Sequence, residues 1–169
     1  MESLQNDKVK CLVCPRECSL AEGQRGFCHV RVNKSGEILL ETYGYNTGLA
    51  IDPIEKKPLY NFYPGSKVLS FGTFGCNMGC LFCQNSHISK YKGDVLKSNK
   101  STPDDIVNIA KANNCKSVAF TYNDPVVFFE YALDIAQQAY DIAEERAEKH
   151  KDKINAIEKS KNQIRKTMT

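Results

Sequence analysis

Cys76-Asn77-Met78-Gly79-Cys80-Leu81-Phe82-Cys83 is the stretch on which the fold and the chemistry of this chain turn. It comes straight after an apolar run, Val68-Leu69-Ser70-Phe71, that reads as a short buried strand, so three thiols leave a strand on one loop. Three thiolates at C-x3-C-x2-C spacing cannot fill a four-iron cluster, and one iron keeps an open position. The alternative metal is zinc, whose structural sites are closed by four ligands. Here the fourth would have to be distant, His87 or Cys115. Lone His87 reads better as a helix-surface residue, and three ligands after a strand suit an open iron–sulfur site better. Gly75 and Gly79 let the backbone curl close to such a cluster. Phe82 offers a flat apolar face, suited either to a purine ring or to simple packing.

The chain has 169 residues, of which 41% are hydrophobic and 25% charged, ordinary globular usage for one domain with a small appendage. The net charge of +3 is too small to argue for nucleic acid. No apolar stretch approaches the ~20 residues of a membrane span, and Met1 to Lys8 lacks an apolar signal core. A cytoplasmic protein is expected. Its eight cysteines fall into an N-terminal four (Cys11, Cys14, Cys18, Cys28), the loop three (Cys76, Cys80, Cys83) and Cys115 alone. Without an export signal, such clusters point to metal rather than disulfides. Cys115 reads as a small buried hydrophobe.

Outward from the loop, four segments are expected. Residues 9–48 form a cysteine-rich metal-binding module. Its C-x2-C-x3-C-x9-C spacing resembles a zinc knuckle more than a ferredoxin run, so structural zinc is expected there, with an accessory iron–sulfur cluster as the alternative. His29 is either a substitute ligand or an outward strand residue. Phe27–Val32 and Ile38–Thr42, around Asn33-Lys34-Ser35-Gly36, predict a hairpin. Residues 49–66 contain three prolines and read as an extended connector packed by its aromatics. Residues 67–143 alternate strand and helix: Val68–Phe71, then a helix opened by Thr102-Pro103-Asp104-Asp105, then the strand Ser117–Tyr122, then a helix from Asn123-Asp124-Pro125. This βα order predicts an α/β fold with parallel strands and outer helices. Residues 144–169 are a charged helical tail. Within it, residues 151–169 carry six Lys or Arg against two acids, and no aromatic interleaves them, which speaks against single-stranded nucleic acid.

Four motifs in order carry a resemblance that covers about residues 10–137. They are Cys11-x2-Cys14-Pro15-Arg16-x-Cys18 with Gly23, Gly26, Cys28 and Arg31; Asp52-Pro53-Ile54-Glu55-Lys56-Lys57-Pro58-Leu59-Tyr60; Cys76-x3-Cys80-x2-Cys83-Gln84-Asn85; and Phe120-Thr121-Tyr122-Asn123-Asp124-Pro125. Together they resemble radical S-adenosylmethionine (radical SAM) enzymes related to pyruvate formate-lyase activating enzyme, in particular the radical SAM member of the AmmeMemoRadiSam system. The resemblance implies a [4Fe–4S] cluster on Cys76, Cys80 and Cys83, with S-adenosylmethionine on the open iron. Reductive cleavage would yield a 5′-deoxyadenosyl radical for hydrogen abstraction, in an oxidoreductase of the glycyl-radical-activating type. It places Phe82 near adenine and Thr121, Tyr122, Asn123 and Asp124 near the SAM amino group. No catalytic residue is singled out. The partners it implies are an electron donor such as flavodoxin or ferredoxin, and a protein substrate.

Two positions depart from the family pattern. Asp124 stands where glutamate is usual, shortening the reach by one methylene, and Asn61 stands where histidine is usual. For Asp124 a helix cap beside Pro125 is the competing role. The family barrel resembles six βα units, and only two are visible here. The expectation is therefore a partial radical SAM barrel, C-terminally truncated, with an open sheet edge closed by a missing barrel half, another chain or dimerisation. The alternative function is a non-catalytic iron–sulfur or zinc binding module or subunit.

Overall fold

The computed structural model describes residues 2–3 and 8–167 of the chain, which divide into two units, Met1–Ile135 and Ala136–Thr169. In the first unit, β1 (Glu2–Ser3), β2 (Val9–Lys10) and β3 (Ser19–Leu20) pair antiparallel. The β2–β3 pair closes the first cysteine knuckle at its base, where the Cys11 N–H donates to the Cys18 carbonyl at 2.9 Å. The predicted hairpin is present as β4 (Arg31–Lys34) and β5 (Glu37–Leu40). Ser35 (φ 54°) and Gly36 (φ 82°) form its two-residue turn, the left-handed pair that matches strand twist. His29 belongs to neither an extended strand nor an outward row. It sits at φ 65° in the turn before β4, its N–H bonded to the Gly26 carbonyl.

The short β6 (Tyr45–Asn46) pairs with a later strand, Asn99–Lys100. Next comes β7 (Leu49–Pro53), which takes the start of the expected connector into the main sheet, antiparallel to β8 (Lys67–Phe71). Pro53 is accommodated because it ends an edge strand, where a missing N–H costs nothing. The connector's aromatics do not pack as expected: Tyr60, Phe62 and Tyr63 are all exposed.

After β8 the chain forms the cysteine loop, the short helix α1 (Ser86–Ser89), β9 (Asn99–Lys100) and α2 (Pro103–Ala112). Thr102 caps α2 in a reciprocal box with Asp105: each side chain bonds the other's backbone N–H. Ile106, Val107 and Ala110 on one face of α2 are buried. The chain then returns as β10 (Cys115–Phe120), parallel to β8, so the main sheet runs β10-β8-β7. This is the predicted βα crossover, with an antiparallel edge strand that the sequence did not suggest. The described residues form an α/β fold whose sheet is not closed into a barrel.

The core lies on this sheet. Val68, Leu69 and Phe71 of β8 are at most 1% exposed, as are Ile106, Phe128, Tyr131 and Ile135. Phe71 meets Phe120 edge-on at 5.6 Å and Tyr131 at 6.0 Å. Side chains along β10 are half-buried apart from the exposed Lys116, so the parallel pair is well covered on one strand and less so on the other. Cys115, expected to be buried, is likewise half-buried, and that burial raises its thiol pKa.

Helix α3 (Phe129–Thr167) begins in the first unit and supplies the second. In the second unit it continues through the charge run, with Ile154 and Ile157 at least half exposed. Pairs such as Lys149–Glu145 and Gln137–Asp141 stand one turn apart and support the helix locally. No helix among the described residues is long and apolar enough to cross a membrane.

Candidate functional site

The cysteine loop leaves the carboxyl end of β8, where ligand sites gather in parallel sheets. Residues 71–77 are buried, and Met78–Phe82 emerge to the surface. Cys76 is buried, Cys83 half-buried and Cys80 exposed. Leu81 and Phe82 are almost fully open, at 102% and 88% exposure, so Phe82 packs on no core and its ring is free to meet a ligand.

Both ends of the loop are fixed by the segment after β10. The buried Asn123 amide donates to the Gly75 carbonyl at 2.7 Å and to Thr73 Oγ1 at 3.1 Å, and its Oδ1 accepts the Thr73 N–H at 3.1 Å. All three bonds lie just ahead of Cys76. Beyond Cys83, the Asn85 amide donates to the Tyr122 carbonyl at 3.1 Å. Tyr122 itself is left-handed, at φ 74°. The tyrosine–asparagine pair therefore ties the two feet of the loop together. Thr121 extends the parallel ladder, its N–H on the Phe71 carbonyl. Asp124 accepts the Val126 N–H at 3.0 Å, the cap expected beside Pro125. Of the segment read as ligand-facing, Asp124 takes its competing role as a cap, and Asn123 is spent on Thr73 and Gly75, a use that sequence reasoning missed because those partners lie about fifty residues away.

The loop's middle is held by one residue of the N-terminal module and one that follows α1. Arg16, within the first knuckle, donates to the Asn77 carbonyl at 2.5 Å, and Lys90 donates to the Met78 carbonyl at 2.6 Å. Both cations sit over the ring of Phe27, at 3.6 and 4.2 Å. The four N-terminal cysteines, Arg16 and Asn77 line one cavity of about 10 Å³, room for a single water-sized occupant. Burial pushes the Cys11 thiol up, an effect that Arg31 opposes. Arg31 is itself buried. It donates to the Val127 carbonyl at 3.1 Å and grips both carboxylate oxygens of Glu130 at 2.5 Å.

Asp52 belongs to β7 of the same sheet and is paired with Lys56 at 2.7 Å and Lys57 at 2.8 Å, and these two lysines hold its carboxyl down at about 2. Lys57 also sits 5.3 Å from the Tyr122 ring. His87 is exposed on α1, and the sequence reading had placed it on a helix surface. Burial and then Lys92, Lys90 and Arg25 lower the pKa of His29.

The Radical SAM superfamily model matches residues 71–167, more than half of the chain, beginning at the last residue of β8. The chain belongs to the radical SAM superfamily. It is 45% identical over 133 residues, 79% of its length, to the uncharacterized protein MJ0808 of Methanocaldococcus jannaschii, and it spans 40% of that relative's length. No solved structure matches it.

Membership of this superfamily implies a [4Fe–4S] cluster and SAM. The donor chemistry suits the cluster: three thiols share one eight-residue loop, and the Met78 N–H points at Cys76 Sγ from 3.4 Å, as a backbone dipole offsetting thiolate charge would. Among the described residues no three His, Cys, Asp or Glu side chains are drawn together as a ready ligand set. The feet of the loop are fixed, and its exposed part carries Cys80, the thiol that has to come inward.

Proposed function

We propose that this chain is a radical SAM iron–sulfur protein of the AmmeMemoRadiSam type, related to glycyl-radical-activating enzymes, with Cys76, Cys80 and Cys83 as cluster ligands. The supporting observation is the three-thiol loop at the carboxyl end of β8, tied at both feet by Tyr122 and Asn123. When bound, the cluster and SAM supply reductive cleavage of the sulfonium to a 5′-deoxyadenosyl radical for hydrogen abstraction. The chain's own residues position and shield. Asn123 and Asn85 fix where Cys76 and Cys83 enter and leave. Phe82 offers its exposed face to adenine, and Thr121 and Tyr122 belong to the segment that would meet the SAM amino group. Asp124 has a free carboxylate oxygen besides its cap, and that oxygen is the group left for the SAM amine.

In this reading residues 9–48 are a metal-binding module, with zinc held by Cys11, Cys14, Cys18 and Cys28 in their shared cavity. Residues 49–66 connect it to a partial barrel at 67–143, and 144–169 form a charged tail. The β10 edge suits pairing with further strands. A reduced flavodoxin or ferredoxin would supply the electron, and a protein would be the substrate. Cysteines kept as metal-binding thiolates suit a reducing cytoplasm.

The open three-stranded sheet favours a second reading, a cluster-binding module that does not turn SAM over. Anaerobic reconstitution followed by SAM addition separates the two. A spectral change with release of 5′-deoxyadenosine under reduction supports the enzyme, and a cluster indifferent to SAM supports the module.

A further inference from the structure

We propose that Arg16 and Lys90, both packed over the ring of Phe27, are positioning residues that let the N-terminal module set the conformation of the cysteine loop. The inference rests on the loop being the cluster site, and it concerns what holds the loop between its fixed feet. Asn77 and Met78 are consecutive, and each gives its carbonyl to one of these cations, at 2.5 and 2.6 Å. Such bonds carry a formal charge on the donor and are roughly twice as strong as neutral ones. Phe27 holds both donors in place, 3.6 Å from the Arg16 guanidinium and 4.2 Å from the Lys90 ammonium. A Cβ on Gly79 would stand 3.5 Å from Arg16 and 3.6 Å from Phe27, so the loop lies against the clamp along its length from Asn77 to Gly79.

Sequence position explains why this contact couples two sites. Arg16 lies between Cys14 and Cys18, and Phe27 directly precedes Cys28. A metal that orders the four N-terminal thiols therefore orders Arg16 and Phe27, two of the three parts of the clamp, and the clamp orders the stretch between Cys76 and Cys80. The two cations also bring positive charge to a loop that binds an anionic cluster, which favours the reduced, more negative state.

The test uses the full chain with Arg16→Gln, Arg16→Lys, Lys90→Met and Lys90→Arg. In the metal-free protein, hydrogen exchange of the Met78 amide, whose N–H points at Cys76 Sγ, is expected to rise about tenfold in Arg16→Gln and Lys90→Met, the factor for losing one hydrogen bond from a charged donor. After anaerobic reconstitution, both variants are expected to hold less iron than the wild type and to show a more negative midpoint potential. Lys90→Arg restores both properties, and Arg16→Lys restores them in part, because it keeps the charge but not the flat stack. Wild-type exchange in both neutral variants overturns the clamp, as does a loss that Lys90→Arg fails to rescue. A wild-type chain that takes up no iron overturns the cluster assignment instead, and the exchange comparison still decides the clamp.

Discussion

Gly75 and Cys28 meet backbone to backbone: a Cβ placed on Gly75 would stand 2.2 Å from the Cys28 carbonyl oxygen and 2.6 Å from Val30 Cγ1. Gly75 is also left-handed, at φ 80°. The residue before the first loop cysteine is thus pressed against the last cysteine of the N-terminal module, and only glycine fits. Gly75→Ala is expected to cost more than about 1 kcal/mol from the backbone conformation alone, with the clash added. Chemical denaturation measures it, and a variant as stable as the wild type would contradict this packing.

Asn123 completes the entry to the loop from the other side. Asn123→Ala leaves the buried Thr73 N–H and the Gly75 carbonyl without their partner. Each such loss costs roughly 1–3 kcal/mol. Asn123→Asp keeps an acceptor for Thr73 but cannot donate to Gly75, so it too is destabilised, and both variants should bind less iron. Iron per chain after reconstitution, set beside the denaturation midpoint, gives the answer. Full iron uptake by Asn123→Ala would show that the loop entry does not need this amide.

Arg31 ties the N-terminal module to the start of α3. Its side chain is 3% exposed, and Glu130 is its carboxylate partner, 42% exposed. Removing one partner of a fully buried pair costs about 3–5 kcal/mol. Water reaching Glu130 screens part of this, so Glu130→Ala is expected to cost about 2 kcal/mol. Arg31→Ala, which also strips the bond to the Val127 carbonyl, should cost more. The reverse order in urea unfolding would count against the pair as described.

Acid should weaken the sheet through Asp52. Lys56 and Lys57 hold its carboxyl at about 2, against an ordinary 3.8. A depressed folded value means that the stabilisation is complete above the ordinary value and is lost as pH falls through the folded one, here between about 3.8 and 2. Asp52→Asn should be less stable at neutral pH and should show a flatter fall in stability over that window. Parallel curves for the two proteins, followed by circular dichroism, would remove Asp52 from the account.

What could be read from the sequence was what depends on neighbours along the chain. The Thr102 capping box, the Ser35–Gly36 turn and the strand before Cys76 are each specified within a few residues. What could not be read depends on distant pairings. Leu49–Pro53 looks like a connector because of its proline, and becomes a strand only because β8 offers it a ladder. Asn123 looks like a ligand-facing residue beside Asp124, while its three bonds reach back to Thr73 and Gly75. Nothing in the spacing of Arg16, Phe27 and Lys90 hints that they meet. The candidate cysteines could be picked out by their spacing; the scaffolding around them could not.

The central claim is that Cys76, Cys80 and Cys83 together hold an iron–sulfur cluster with a position open to SAM. Anaerobic reconstitution of the wild type and Cys80→Ala, with iron and sulfide counted and the spectrum followed as SAM is added, tests it most directly. The account predicts about four irons at this loop in the wild type, a spectral response to SAM, and loss of both in Cys80→Ala. An iron chromophore that survives in Cys80→Ala, or zinc in place of iron at the loop, would contradict it.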